Sequence, residues 1–172
     1  IEDVCESHGT TFKGQKVGSI GFASNFSFYF AHHMSTIEGG MICTNDEILY
    51  EQLRMMRSHG MVRELSKQET KLEYQKKYPE LNPDFIFAYS AYNLRNTELG
   101  GILGRSQLKR LDKIVERRIE NHNWFLSGIN DQIYKTDFEI EGSSNYAFNL
   151  ILKDPDVKLA ERIMERMSSS GI

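Results

Sequence analysis

Two adjacent histidines, His32 and His33, are the residues of this chain best suited to move a proton near neutral pH. Neighbouring residues of an extended segment point to opposite faces, so we expect the two rings to point apart and not to share a metal ion. The chain contains no HExxH and no CxxC sequence, which leaves zinc without a motif. Taken singly, a histidine of this kind is more often structural than catalytic.

Two neighbouring acids, Glu2 and Asp3, form the second candidate group. An acid at the end of an apolar strand either binds a ligand or caps a turn, and the sequence leaves both readings open. Cys5 and Cys43 are too few for a disulfide framework and are expected to be small core residues. The low cysteine content is typical of the reducing cytoplasm.

The overall composition excludes several classes of protein. A length of 172 residues corresponds to about one domain, and 10 Phe, 8 Tyr and 1 Trp supply enough apolar area for a core. The net charge of −3 provides no basic surface for nucleic acid or an anionic membrane. No stretch approaches the roughly 18 apolar residues of a membrane helix. We therefore expect a cytoplasmic protein without nucleic-acid or membrane partners.

The elements that must position these residues are strands and helices in mixed order. Strands are predicted over residues 26–30 and 40–44, and a helix capped by Asn45-Asp46 should end near Gly60. The highly charged stretch 63–82 reads as an exposed loop or a solvated helix.

The second half of the chain predicts one long amphipathic helix that begins at Leu99 and continues to Ile119, with its start capped by Thr97 and Glu98. Strands are expected at 136–141 and 145–152, followed by a last helix from Val157 to Met167. The break around 120–130 suggests the end of one α/β domain and the start of an α+β domain.

The combination of short motifs resembles the DegT-type sugar-nucleotide aminotransferase and dehydrase family. The resemblance covers most of residues 2–120 and is carried by seven segments: Glu2–Gly9, Lys13–Gly18, Phe26–Phe28, Glu38–Met41, Arg57–Gly60, Tyr92–Glu98 and Gln107–Leu111. It implies part of the large domain of a pyridoxal phosphate-dependent transferase, with a mixed, mostly parallel sheet over residues 1–120. Residues 121–172 would begin a smaller α+β C-terminal domain.

The resemblance also implies a cofactor site for pyridoxal phosphate or pyridoxamine phosphate. Asp3 would pair with the pyridine nitrogen, which keeps the ring cationic. Glu6 would lie beside the ring hydroxyl, where aminotransferases commonly have Gln, and Ser27 would bind the phosphate. Asn93 would reach the phosphate of the neighbouring subunit in a homodimer with shared active sites.

The main departure from the family pattern is His32. The aminotransferases carry a lysine five residues after the serine, and this lysine binds the cofactor covalently. Histidine at this position resembles the sugar 3-dehydrases, which implies a lyase that removes the C3 hydroxyl of a nucleotide-linked 4-keto-6-deoxy sugar, for lipopolysaccharide or other deoxysugars. His32 would be the base, and glutamate would restore the amine form of the cofactor.

Residues of the second domain are also expected near the sugar, namely Ser144, Asn145 and Tyr146. One branch of these dehydrases carries an iron–sulfur cluster, but residues 60–90 contain no cysteine, so a cluster is not expected here.

Two other readings remain. The protein could be an aminotransferase homologue, transaminating or an inactive partner subunit, or a dimeric scaffold with a vacant site. Asp3 and Ser27 argue against the scaffold. The family's N-terminal half, which supplies a phosphate-binding turn and a residue that stacks on the ring, is expected to precede Ile1.

Overall fold

A computed structural model describes residues 1–172. A three-stranded sheet is formed by Glu2–Asp3 (β1), Ala23–Ser27 (β4) and Gly40–Thr44 (β5), in the order β1-β4-β5. Strand β1 runs parallel to β4, whereas β5 runs antiparallel to β4, so the sheet is mixed. Between them, Thr11–Phe12 (β2) and Gln15–Lys16 (β3) pair as a small antiparallel hairpin. The predicted α/β class is confirmed.

Strand β4 ends earlier than the apolar pattern predicts. The sequence indicated a strand over 26–30, but the ladder with β5 stops at Ser27, which pairs with Gly40. Beyond it the backbone nitrogen of Phe28 donates to the carbonyl of Gly39 (2.9 Å), which closes the base of a loop. Both adjacent histidines are therefore carried on a closed loop at the end of β4, and not on a strand.

Helix α1 spans Glu47–Met56 and begins as predicted, because the Asp46 carboxylate accepts a hydrogen bond from the backbone nitrogen of Leu49 (2.7 Å). The chain turns away at Gly60, whose φ of +78° and bond to the carbonyl of Met55 (2.9 Å) suit a glycine after a helix.

Helix α1 leads into the apolar core of the chain. Four buried side chains form this aliphatic cluster: Met55, Val62, Leu65 and Ile86. Two short 3-10 turns, Val62–Glu64 and Pro83–Phe85, flank helix α2 (Gln68–Lys77). Helix α2 has no buried residue, so the charged stretch contains a solvated helix.

The single long helix predicted from Leu99 is wrong. The structure has two helices, α3 (Glu98–Leu108) and α4 (Leu111–Gly128). The break occurs where the backbone nitrogen of Arg110 bonds to the carbonyl of Gln107 (2.9 Å), a tighter turn than an α-helix uses. The predicted cap is confirmed, since the Thr97 hydroxyl accepts from the backbone nitrogen of Gly100 (3.5 Å). Helix α4 continues through residue 120, and the division of domains at that point stays a prediction.

The two strands predicted at 136–141 and 145–152 are also wrong. The only β-bridge there is an isolated one between Tyr134 and Leu152. Gly142 and Asn145 adopt positive φ values of 73° and 50°, so the backbone between the two segments turns and does not extend. An apolar segment is not enough to make a strand, because a strand also needs a partner. The last helix, α5 (Val157–Ser169), is confirmed.

Burial is limited across the whole chain. Only 14 of the 172 residues are buried, and large apolar side chains such as Phe22, Phe30 and Trp124 remain exposed. Much of the apolar surface is therefore not covered by contacts within this chain. No helix combines the length and the apolar character needed to cross a membrane.

Candidate active site

The two neighbouring acids at the N-terminal strand have different roles. The carboxylate of Glu2 accepts hydrogen bonds from three backbone nitrogens, those of Gly18 (2.7 Å), Ile20 (2.9 Å) and Gly21 (2.6 Å). The bonds from Gly21 and Gly18 contribute most to lowering the pKa of Glu2 below its usual value. Glu2 is thus a structural acid that holds the loop before β4.

Asp3 lies at the end of β1 and is exposed. Its Oδ1 accepts from the backbone nitrogen of Cys5 (3.2 Å) and from the Asn25 amide (3.3 Å). The Cys5 thiol and then the Cys5 backbone contribute most to lowering the pKa of Asp3. Its carboxylate is therefore ionised at neutral pH, fixed in orientation and open to a ligand.

Ser27 lies two residues beyond Asn25 on β4, so the two side chains share one face of the strand. Because Asn25 pairs with Asp3 in the parallel ladder, Ser27 lies about 7 Å farther along the strand axis, by the usual rise per residue. The Ser27 hydroxyl accepts a hydrogen bond from the Tyr29 nitrogen (3.3 Å) and keeps its own proton to donate.

This donor set fits the cofactor that the resemblance implies. The ionised carboxylate of Asp3 suits a protonated pyridine nitrogen. The hydroxyl of Ser27, farther along the same face of the strand, suits the phosphate group of the cofactor. The structure thus brings Asp3 and Ser27 to one face of the sheet.

The aromatic side chains of Phe26 and Phe28 contact a cluster of histidine rings. His8 packs on Phe26 and Phe28 with ring centroids 5.7 and 5.8 Å apart. The centroid of His8 lies 6.3 Å from that of His32 and 5.9 Å from that of His33. We call these three side chains the histidine cluster.

The expectation that His32 and His33 point apart is wrong. Their ring centroids lie 5.4 and 6.0 Å from that of Tyr146, so both face the same neighbour. The reason is local, because the backbone nitrogen of His32 bonds to the carbonyl of Tyr29 (3.1 Å) and the chain turns there. Even so, no group of three or more His, Cys, Asp or Glu side chains is placed to hold a metal ion.

His33 is anchored to the second half of the chain. Its Nε2 lies 3.0 Å from the carbonyl oxygen of Ser144, and the Ser144 hydroxyl accepts from that of Thr10 (2.9 Å). Burial is the main cause that lowers the pKa of His33. Arg118 of α4 donates to the carbonyl of Tyr146 (2.8 Å), so residues 144–146 are held over the cluster. Ser144, Asn145 and Tyr146 were expected to lie near the sugar. Only the structure shows that Ser144 and Tyr146 contact the histidines.

The loop that carries His32 is closed by further hydrogen bonds. Thr36 donates from its hydroxyl to the carbonyl of Glu38 (2.7 Å), and Ile37 donates from its nitrogen to the Ser35 hydroxyl (3.0 Å). Ile37 has a φ of +75°, which is strained for a β-branched residue. The surrounding bonds hold this strained turn and thereby fix the path of the loop.

The two remaining candidates are Glu6 and Asn93. Glu6 is exposed. Asn93 pairs through its backbone with Ser58, and its side-chain oxygen accepts from Arg95 (3.3 Å). Neither residue makes a side-chain hydrogen bond to Asp3, Ser27 or His32. Sequence reasoning missed His8, although it lies within the first motif of the resemblance; no periodicity marks it as buried.

The comparison with known proteins decides the family. The sequence profile of the DegT/DnrJ/EryC1/StrS aminotransferase family matches residues 1–172. The chain belongs to this family. It is 34% identical over 173 residues to the GDP-4-keto-6-deoxy-D-mannose 3-dehydratase of Escherichia coli O55:H7, covering 100% of this chain and 44% of that enzyme. The chain therefore spans less than half the length of this relative.

Solved structures agree with this assignment. The E. coli GDP-4-keto-6-deoxy-D-mannose-3-dehydratase with bound hydrated PLP superimposes with a TM-score of 0.85 at 33% identity, covering 99% of this chain and 44% of that one. A structure of GDP-4-keto-6-deoxymannose-3-dehydratase with a trapped PLP–glutamate geminal diamine gives 0.85 at 32% identity, covering 98% and 44%. The fold of a PLP-dependent aminotransferase is thus confirmed for this part of the protein.

Proposed function

We propose that the protein is a nucleotide-sugar 3-dehydrase that uses pyridoxal or pyridoxamine phosphate to remove the C3 hydroxyl of a 4-keto-6-deoxy sugar, for lipopolysaccharide or other deoxysugars. The observation that carries the proposal is an imidazole, His32, on the closed loop after β4. In the aminotransferases that the sequence resembles, this position holds the lysine that binds the cofactor. Imidazole forms no lasting bond with an aldehyde, but it accepts and releases a proton near neutral pH.

Asp3 and Ser27 would hold the cofactor, and His32, on the loop that follows Ser27, would act on it. When bound, the cofactor supplies an electron sink that allows the C3 hydroxyl to leave as water. Asp3, ionised and fixed by Cys5 and Asn25, keeps the pyridine nitrogen protonated. Ser27 would donate to the phosphate, and Glu6 would lie beside the ring hydroxyl. His32 would remove the proton from the cofactor's C4′ carbon.

The proposal includes two partners besides the sugar. Glutamate returns the cofactor to its amine form, and support comes from the related dehydratase in which a PLP–glutamate adduct was trapped. A second subunit completes the site, with Asn93 reaching the phosphate across a homodimer interface. Asn93 is exposed and its amide nitrogen has no partner within the chain, which leaves it free for such a contact.

The decisive experiment uses the complete polypeptide loaded with pyridoxamine phosphate and a panel of 4-keto-6-deoxy nucleotide sugars. We expect one substrate to lose the mass of one water. The variant His32→Asn should slow this loss by about 10²- to 10⁴-fold, the usual contribution of a general base, with cofactor affinity nearly unchanged. His122→Asn, at a buried histidine outside the cluster, is the matched control and should keep the activity.

The competing aminotransferase reading has a different product. Transamination would replace the 4-keto oxygen with an amino group and leave the C3 hydroxyl in place. Such a product, or an active His32→Asn variant, would contradict the proposal. Borohydride treatment with pyridoxal phosphate offers a second check, because a cofactor-labelled lysine would contradict non-covalent binding.

A further inference from the structure

The buried polar atoms that no protein group satisfies are concentrated at one place in this chain. Five buried side-chain nitrogens lack a hydrogen-bond partner, and all five belong to histidines. Four of them lie in the histidine cluster, on His8, His32 and His33. A buried nitrogen without a partner costs about 1–3 kcal/mol, so a cluster of four is unfavourable for stability alone.

His8 is the centre of this arrangement. It is only 3% exposed, and both of its ring nitrogens are without a partner. His33 differs, since one of its nitrogens is bound to Ser144. Both ring nitrogens of His8 are therefore free to form hydrogen bonds, one as a donor and one as an acceptor.

Packing on both sides restricts the position of His8. The rings of Phe26 and Phe28 pack against it. At the adjacent Gly9, with a φ of +84°, an added Cβ would lie 2.9 Å from a methyl carbon of Val115 on α4. The chain at His8 is thus pressed against α4, and the ring has little freedom to leave the cluster.

His8 is uncharged at neutral pH. Burial, and to a smaller extent the neighbouring histidines, lower its pKa from 6.5 to about 4. A neutral imidazole carries one proton and one free lone pair, and it places no positive charge beside His32. Its two nitrogens can therefore donate one hydrogen bond and accept another.

We infer that His8 is a positioning residue for His32, linked to it by a single buried water that fixes both the orientation of the His32 ring and the nitrogen that carries its proton. The ring centroids are 6.3 Å apart with planes tilted by 42°, and the buried nitrogens of the two rings do not bond to each other, so a bridging water would satisfy a nitrogen on each ring. The inference rests on the proposed function insofar as it treats His32 as the base.

The test has a structural part that does not depend on turnover. A crystal structure of the complete, cofactor-free protein should show one water within hydrogen-bond distance of a nitrogen of His8 and of His32. The ring ¹⁵N signals of His32 should report a single tautomer in the wild type and a mixture in His8→Phe, which keeps the packing on Phe26 and Phe28 but removes both nitrogens.

The kinetic part uses the loaded complete protein. His8→Phe should lower kcat by about 10- to 100-fold with KM nearly unchanged, the size expected when a catalytic group is misplaced. His8→Asn, which restores a donor and an acceptor, should recover part of the loss. His122→Phe is the control, because His122 is also buried with one unpartnered nitrogen but stacks on Phe148 outside the cluster.

Three outcomes would overturn the inference: wild-type kcat and His32 signals in His8→Phe, an equal effect in His122→Phe, or a crystal structure with no water joining the two rings. The crystal structure decides the matter even if His8→Phe does not fold. If His32→Asn keeps its activity while the water and the single tautomer are observed in the wild type, His32 is not the base and the proposed function is wrong. The inference that His8 orients the His32 ring would still hold.

Discussion

The chain has two buried centres that are built in opposite ways. The aliphatic cluster of Met55, Val62, Leu65 and Ile86 contains no polar side chain, and each member is at most 5% exposed. The histidine cluster is covered almost as well at His8 and His33, at 3% and 2%, yet it holds four unpartnered nitrogens. The first centre stabilises the fold, whereas the second keeps polar atoms at a cost in stability, as expected of a site arranged for chemistry.

The largest effect is expected in the aliphatic cluster. Ile86→Ala should lower the free energy of unfolding by about 2–5 kcal/mol, because Ile86 is only 2% exposed and the cavity left behind cannot close fully. Ile86→Val, as a graded control, should cost about 0.5–1.5 kcal/mol. Urea denaturation of the complete protein measures both. If Ile86→Ala were neutral, this cluster would not be the stabilising centre.

A pH effect of intermediate size is expected in the histidine cluster. The pKa of His8 is about 4 in the folded protein and near 6.5 in the unfolded chain, so the unfolded state binds more protons between these values. The contribution of His8 to stability is full above pH 6.5 and is lost as the pH falls towards 4. One proton gives a slope of at most about 1.4 kcal/mol per pH unit.

Thermal unfolding at several pH values, with wild type and His8→Phe side by side, measures this slope. The variant should lose less stability between pH 6.5 and 4 than the wild type does. If stability depended equally on pH in the wild type and in His8→Phe, His8 would not be buried in its neutral form. The histidine cluster would then not differ from the aliphatic cluster in this respect.

The smallest effect is expected at a site that belongs to neither centre. Gly101 lies within α3, and a Cβ added there would meet nothing within 4 Å. Gly101→Ala should therefore raise the free energy of unfolding by about 0.5–1 kcal/mol, through the helix propensity of alanine. Urea denaturation should show this gain without a change in kcat. A loss of stability would indicate that helix α3 is covered by another surface in the complete protein.

The sequence predicted the local elements whose signals lie close together in the chain. Asp46 as the cap of α1, Thr97 as the cap of α3 and the helix from Val157 were correct because a capping side chain and its helix are a few residues apart. The strands at 136–141 and 145–152 failed, because strand formation depends on a distant partner that the pattern does not contain.

The features of the candidate site also separate into those set by local sequence and those that depend on distant contacts. Residue types and their order alone determined the family, the fold and the presence of a histidine where the family's aminotransferases carry lysine, because motifs of this kind are local in sequence. The tertiary structure alone decided that Glu2 holds a loop while Asp3 stays open, and that His32 and His33 face one side. It alone brought His8 to them, since burial and ring contacts depend on parts of the chain that are far apart in sequence.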